Sequence, residues 1–183
     1  MARSPPSSAA SDSVADTIAD RLRGLLASDV YTAKGRLRAD DLLIRERVAG
    51  SLGQASTRLR DLAAAWRADR VPPSTRENPF PPAEVMAPLR QADRLGKDID
   101  AVCTAVRGLP LLPEDRVWQR VRAAGLHELL QFDWGLVSES DELAAQLAAA
   151  ADLAAVNHAG AKQRLRSLTE LIADRRRYAE ASV

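Results

Sequence analysis

The sequence predicts an all-α protein, a bundle of four to six helices with two long coiled-coil-like helices and a Pro-rich crossover. Two apolar stripes carry this prediction, because their residues recur at alternating steps of three and four, which places them on one helix face near the coiled-coil period. The stripes consist of Leu37, Ile44, Val48, Leu52, Ala55, Leu59, Leu62 and Trp66, and of Leu147, Ala151, Ala154, His158, Ala161, Leu165, Leu168 and Ile172. The composition agrees: 46% of the residues are hydrophobic but only 4% are aromatic, and much of the apolar content is alanine, a strong helix former.

The first part of the chain predicts a leader followed by helix. Residues 1–12 are mainly serine, proline and alanine with little to bury, so we expect them to be disordered. Residues 13–180 are expected to form one helical-bundle domain, because a chain of 183 residues can bury one core but hardly two. The first helical segment spans 13–70. Gly35 interrupts its pattern, which favours two helices meeting there over one continuous helix.

A proline-rich linker is predicted over residues 71–82, whose sequence VPPSTRENPFPP contains five prolines. Proline removes an amide donor and pushes the preceding residue into extended geometry, so this segment cannot be helical. Phe80 lies within it. We expect this aromatic ring to pin the linker to the body of the protein, and an exposed docking residue is the alternative.

The second half predicts three further helical stretches. A helix over 83–108 ends before Gly108, and short helices over 113–135 begin at Pro113 and are interrupted at Gly125. A single long C-terminal helix over 139–179 follows, with Ser138 as its cap, acidic residues in its first turn and arginines near its end.

Charge and composition exclude several classes of protein. The chain has 26 basic and 25 acidic residues, so its net charge of +1 gives no overall attraction to nucleic acid or to an anionic membrane. No stretch approaches the roughly 18 apolar residues of a membrane span, and no secretory signal is recognisable. We therefore expect a cytoplasmic protein, and 23 arginines against three lysines indicate a GC-rich bacterial genome.

The sequence offers no constellation for catalysis. Phosphate-binding glycine loops, a nucleophile elbow and the HExxH zinc motif are all absent, and His127 and His158 are isolated from each other. The single cysteine, Cys103, lies among apolar residues and is expected to be a buried thiol. We therefore expect no enzyme activity, no metal and no cofactor.

The leading functional hypothesis is a non-catalytic protein-interaction module, an adaptor, scaffold subunit or regulator acting through amphipathic helix faces, with a homodimer as one form. The candidate partner-binding residues are Leu165, Leu168, Ile172, Phe132, Trp134, Phe80, Arg175, Arg176 and Arg177. One alternative is a nucleic-acid-associated regulator that uses the arginine-rich surface, although nucleic acid is the less favoured partner. A weaker alternative is a small-ligand-binding bundle with a pocket near Trp118, His127, Phe132 and Trp134.

Overall fold

The computed structural model describes residues 33–73, 75–76, 80–109 and 123–181, and side chains from Asp41 onward except those of 123–130 and 181. Every regular element in these residues is an α-helix: α1 (Ala33–Arg70), α2 (Ala83–Arg107), α3 (Ala123–Ala149) and α4 (His158–Ala181). The all-helical fold class is therefore confirmed for the described residues. The predicted leader over 1–12, residues 13–32 and most of the region between α2 and α3 lie outside them.

Residues 41–183 form one compact unit, in which side-chain contacts give the direction of α2 relative to α1. Ser56 Oγ donates to Asp100 Oδ1 over 3.2 Å, and Trp66 Nε1 donates to the carbonyl oxygen of Val85 over 3.0 Å. Residue numbers rise along α1 as they fall along α2. The two helices are therefore antiparallel.

The same reasoning gives the direction of α3. Arg47 Nη2 lies 2.8 Å from Asp141 Oδ2, and Arg58 Nη2 donates over 2.7 Å to the carbonyl oxygen of Ala150. Residue numbers rise together along the two helices, so α1 and α3 are parallel. Both pairs also show that α1 and α3 are neighbours.

The last helix, α4, runs back along α3. Arg164 Nη1 contacts Glu139 Oε2 at 3.0 Å, and Arg175 Nε contacts Asp133 Oδ1 at 2.7 Å, so the two helices are antiparallel. Their backbones approach closely, and so do those of α2 and α4. The chain thus alternates in direction from each described helix to the next.

The four helices share one apolar core, which explains why α2 forms where it does. Its buried residues recur every three or four positions, as one face of a helix requires: Leu89, Ala92, Leu95, Ile99, Val102 and Val106. The helix ends at Gly108, whose amide donates to the carbonyl oxygen of Thr104 over 2.9 Å. No described helix is long and apolar enough to cross a membrane.

The expected single helix over 139–179 is wrong, because residues 150–157 separate α3 from α4. Two polar side chains stabilise this break. Asp152 Oδ1 accepts from the Ala155 amide over 2.8 Å, and Asn157 Oδ1 accepts from the Gly160 amide over 3.0 Å, which is an N-cap for α4. The apolar periodicity hides the break, since Leu153 and Val156 in the connection are themselves buried.

The predicted short helices over 113–135 are also wrong in their described part, because α3 runs unbroken through Gly125, Gly135 and Ser140. Gly135 lies in a close contact between helices: a Cβ atom there would lie 3.1 Å from Leu171 Cδ1 of α4. Ser140 Oγ donates to the carbonyl oxygen of Val137 over 2.9 Å, a bond made inside a helix. At Gly135, tertiary packing thus accompanies a residue of weak helix propensity.

The structure also differs from the sequence prediction at Gly35. α1 is helical from Ala33 through Gly35 to Arg70, so no helix end lies at this glycine. Whether a second helix precedes Ala33 concerns residues outside the described ranges.

Candidate interaction surface and the ion cluster beneath it

Four charged side chains are buried together inside the helical unit, and we call them the ion cluster: Asp41, Arg45, Asp133 and Arg175. Arg175, only 1% exposed, donates from Nε to Asp133 Oδ1 over 2.7 Å and from Nη2 to Asp41 Oδ1. Arg45 donates from Nη2 to Asp41 Oδ2 over 2.5 Å and from Nη1 to the carbonyl oxygen of Leu109. The cluster therefore joins α1, α3, α4 and Leu109, which lies two residues beyond the end of α2.

The formal charges of the ion cluster balance, with two guanidinium groups against two carboxylates. Burial raises the pKa of Asp133, and the nearby Arg175 opposes this effect without cancelling it. For Arg175, burial alone would lower the pKa, but Asp133 and Asp41 together raise it, so its charge persists. Such clusters add little net stability compared with apolar packing, but losing one member leaves an unpaired charge in the core.

This placement corrects the sequence-based role of Arg175, which was a candidate for partner binding. A side chain that is buried and bonded to two carboxylates is not available to a partner. Sequence reasoning missed Asp41, Arg45 and Asp133. The sequence did contain a signal that Asp41 and Arg45 are buried, since both continue the three- and four-residue spacing of the apolar residues Val48 and Leu52. A charged pair four residues apart on a helix is, however, equally typical of an exposed face.

The apolar candidates of the C-terminal stripe are also corrected. Leu165, Leu168 and Ile172 are buried in the core of this same chain. They stabilise the packing of α4 against its neighbours and present no surface to a partner. The periodicity identified a buried face correctly but did not show what covers it.

A further candidate, Phe132, lies where α3 and α4 pack together. The Phe132 ring is half-buried, with its centroid 5.9 Å from that of Tyr178 and an angle of 52° between the ring planes. Such a tilted arrangement is favourable for aromatic pairs. Phe132 therefore has a role within the fold.

The remaining arginines of the run from 175 to 177 are exposed. Arg177 pairs with Asp174, one turn earlier on α4, while Arg176 faces solvent. Exposed pairs of this kind contribute little to stability. The run therefore divides into one core residue and two surface residues.

Trp134 is an apolar candidate that the structure leaves on the surface, with 63% of the residue exposed. Leu42 and Leu43 of α1 are also large, apolar and exposed, at 54% and 40%. Arg175 contacts both Asp41 and Asp133, so the residues that follow them in sequence lie at the same end of the unit. We call the three exposed residues that share this end, Leu42, Leu43 and Trp134, the apolar end patch.

Phe80 is 84% exposed, so the expectation that it pins the proline-rich segment is wrong. Trp66 makes an anchoring contact of a different kind, between α1 and α2. Its indole Nε1 donates to the carbonyl oxygen of Val85, and the guanidinium of Arg70 lies 5.3 Å from the centre of its ring system. Sequence reasoning had placed Trp66 in the stripe of α1 without giving it this contact.

His158 is the first residue of α4, and its Nδ1 atom is buried with no hydrogen-bond partner among the described residues. Burial lowers the pKa of His158, and the charge of Lys162 lowers it further. No three histidine, cysteine or acidic residues lie together as metal ligands in the part of the chain that the structure describes.

The pocket expected for a small ligand is not visible in the described residues. Trp118 and the His127 side chain lie outside them, and Phe132 is covered in part by Tyr178. A shallow groove does lie elsewhere, on the outer face of α1, where its lining includes Gly50, Gly53 and Thr57.

No known relative informs this arrangement. No protein-family model matches the chain, and neither the curated proteins nor the solved structures contain a significant match.

Proposed function

We propose that this chain is a non-catalytic protein-interaction module, an adaptor, scaffold subunit or regulator, that binds a partner protein through its apolar end patch. The carrying observation is the exposure of Trp134. An exposed tryptophan keeps a large apolar surface in water, and tryptophan is enriched among the residues that dominate binding energy at protein interfaces.

The ion cluster supports this proposal because it holds the backbone that carries the patch residues. Asp41 precedes Leu42 and Leu43, and Asp133 precedes Trp134, so each part of the patch adjoins a buried carboxylate that Arg175 holds. A surface fixed before binding loses less conformational entropy when the partner arrives. We propose an apolar partner surface, because the three patch residues carry no charge.

The nucleic-acid alternative is supported less well. Arg175 is buried and Arg177 pairs with Asp174, so among the described residues Arg176 is the exposed arginine of the run that bonds to no acidic side chain. Three sequence-based expectations remain parts of the main proposal. They are the bacterial cytoplasm, the coiled-coil character of the long helices and the crossover role of the proline-rich segment.

The test begins with a photoreactive amino acid at position 131, an exposed position about one turn before Trp134 on α3, introduced in cells that produce the full chain. Illumination would capture the partner covalently, and the captured protein would then be purified and its affinity measured for the wild type and Trp134→Ser. Ala145→Ser is the matched control, because Ala145 is another exposed residue of α3.

We expect Trp134→Ser to weaken binding by about tenfold or more, as for an interface hot spot, and Ala145→Ser to leave it unchanged. Light scattering on the wild type would show whether the partner is a second copy of the chain. Equal affinities of the wild type and Trp134→Ser for the purified protein would contradict the proposal.

A further inference from the structure

We infer that the outer face of α1, from Glu46 to Asp61, is a self-association surface on which a second copy of this chain docks its own α1 in the antiparallel direction. The face is centred between Gly53 and Gln54, roughly 15 Å along the helix from Leu43 of the apolar end patch. The inference therefore concerns a different surface from the proposed function and does not depend on it. It rests on the order of the charges along this face and on the exposed glycines between them.

Two glycines in the middle of α1 are not required by the packing of the described residues. Gly50 and Gly53 are exposed, and a Cβ atom at either position would meet nothing within 4 Å. Glycine weakens the interior of a helix relative to alanine, so the fold alone would favour alanine at both positions. Together with Thr57 they line a shallow groove on the outer face of the helix. The backbone of α1 is therefore open here to the close approach of another helix.

Four exposed charged residues flank the glycines, two before them and two after them: Glu46, Arg47, Arg60 and Asp61. Successive residues of an α-helix are about 100° apart around its axis. Glu46 and Arg60 therefore lie along one edge of the groove, whereas Arg47 and Asp61 lie along the other. Each edge has an acid at one end and a base at the other. Among the described residues, neither Glu46 nor Asp61 forms an ion pair.

Contacts within the fold agree with these two edges. Arg47 lies on the side of α3, since its Nη2 atom is 2.8 Å from Asp141 Oδ2. Arg60 lies on the side of α2, since its Nε atom donates to the carbonyl oxygen of Ser56, and the Ser56 hydroxyl donates to Asp100 of α2. The two edges thus face different neighbouring helices, and the groove between them faces solvent.

A two-fold axis through the centre of this face pairs its charges. Such an axis reverses the order of residues along the second α1 but keeps each edge next to its own copy. Glu46 then lies level with Arg60 of the second copy, and Arg47 lies level with Asp61 of the second copy. Each pair occurs twice, once at either end of the contact. The antiparallel direction also sets opposite ends of the two helix dipoles side by side.

The test is the oligomeric state of the full chain, measured by sedimentation velocity over a range of protein concentrations. We expect the wild type to be a dimer. Glu46→Arg and Arg60→Glu each set like charges level with each other, so each should raise the dissociation constant of the dimer by about tenfold or more. The double variant with both substitutions restores opposite charges, and its dissociation constant should return to within about threefold of the wild-type value.

This double variant also distinguishes the direction of the contact. In a parallel pair, Glu46 would lie level with Arg47 of the second copy, and Arg60 with Asp61 of the second copy. Combining the two substitutions would then leave like charges at both ends, and the dimer would not recover. Circular dichroism of each variant checks that α1 and the rest of the fold are retained.

A second variant tests the contact between the two backbones. Gly53→Lys places a long charged side chain next to its own copy at the axis, so it should prevent the dimer while leaving the helicity unchanged. Ala101→Lys is the matched control, because Ala101 is an exposed residue of α2, and it should remain dimeric. Trp134→Ser should also remain dimeric, so this inference and the proposed function can fail separately.

Three results would overturn the inference. They are a wild type that stays monomeric over the whole concentration range, a double charge variant that does not recover, and a dimer that survives Gly53→Lys. A dimer that Trp134→Ser dissociates would also overturn it, because the contact would then lie at the apolar end patch.

Discussion

Arg175 on α4 and Asp133 on α3 form a hydrogen-bonded ion pair of 2.7 Å within the core, and the same guanidinium also bonds Asp41 on α1. One buried side chain therefore fixes the relative positions of three helices. Apolar contacts between helices have no preferred direction, so one helix can shift along another at little cost in free energy. A buried charge with defined partners, in contrast, favours one register. We interpret the ion cluster as such a register device.

Arg175→Met should destabilise the protein by about 3–5 kcal/mol, because it leaves the carboxylates of Asp41 and Asp133 in the core without their main cation. Urea unfolding followed by circular dichroism would measure this loss. Arg176→Met is the matched control, since Arg176 is the next residue and is exposed. It should change the free energy of unfolding by about 0.5 kcal/mol at most. Similar losses for both variants would show that Arg175 is not buried.

Leu168→Asp should prevent folding, because Leu168 is fully buried and a carboxylate there would have no partner. Leu42→Asp should remain folded, since Leu42 is more than half exposed. Circular dichroism and light scattering on both variants would check this difference. A folded, monomeric Leu168→Asp from a dimeric wild type would instead place the C-terminal stripe at an interface between two chains.

Lowering the pH should destabilise the wild type more than it destabilises the His158→Gln variant. The pKa of His158 is lowered in the folded protein, so the unfolded chain binds a proton more readily than the folded one as the pH falls through about 6.5. The stabilisation is therefore present above this pH and is lost below it. Melting temperatures from about pH 7.5 to 5.5 would show a steeper fall for the wild type. Parallel curves would mean that His158 is solvated in the folded state.

Gly50→Ala should stabilise the protein by about 0.5–1 kcal/mol, because alanine favours helix and a Cβ atom there would meet nothing within 4 Å. Gly135→Ala should stabilise the protein less than Gly50→Ala does, or should destabilise it. Its Cβ atom would lie 3.1 Å from Leu171 Cδ1, so that side chain would have to shift. Urea unfolding of the two variants measures the difference. Equal gains would show that α3 and α4 do not approach closely at Gly135.

The sequence by itself determined the helical fold class and which helix faces are apolar, as at Leu165, Leu168 and Ile172. Both properties follow from the local spacing of side chains along a helix. The end of α3 at Ala149 could not be read from that spacing, because Leu153 and Val156 keep the connection apolar. Gly125 and Ser138 failed as boundaries because α3 continues through both, and the helix propensity of a single residue is a weak guide to where a helix ends.

Only the tertiary structure decided what covers each face. Arg175 and Arg177 have the same side chain and stand two residues apart, yet one is buried between two carboxylates and the other is exposed. Likewise Phe80, expected to anchor the proline-rich segment, is exposed, while Trp66 of the apolar stripe bonds to Val85 of α2. These outcomes depend on residues distant in sequence, such as Asp41, Asp133 and Val85. Local propensity contains no information about which distant residues meet, because helix packing brings them together.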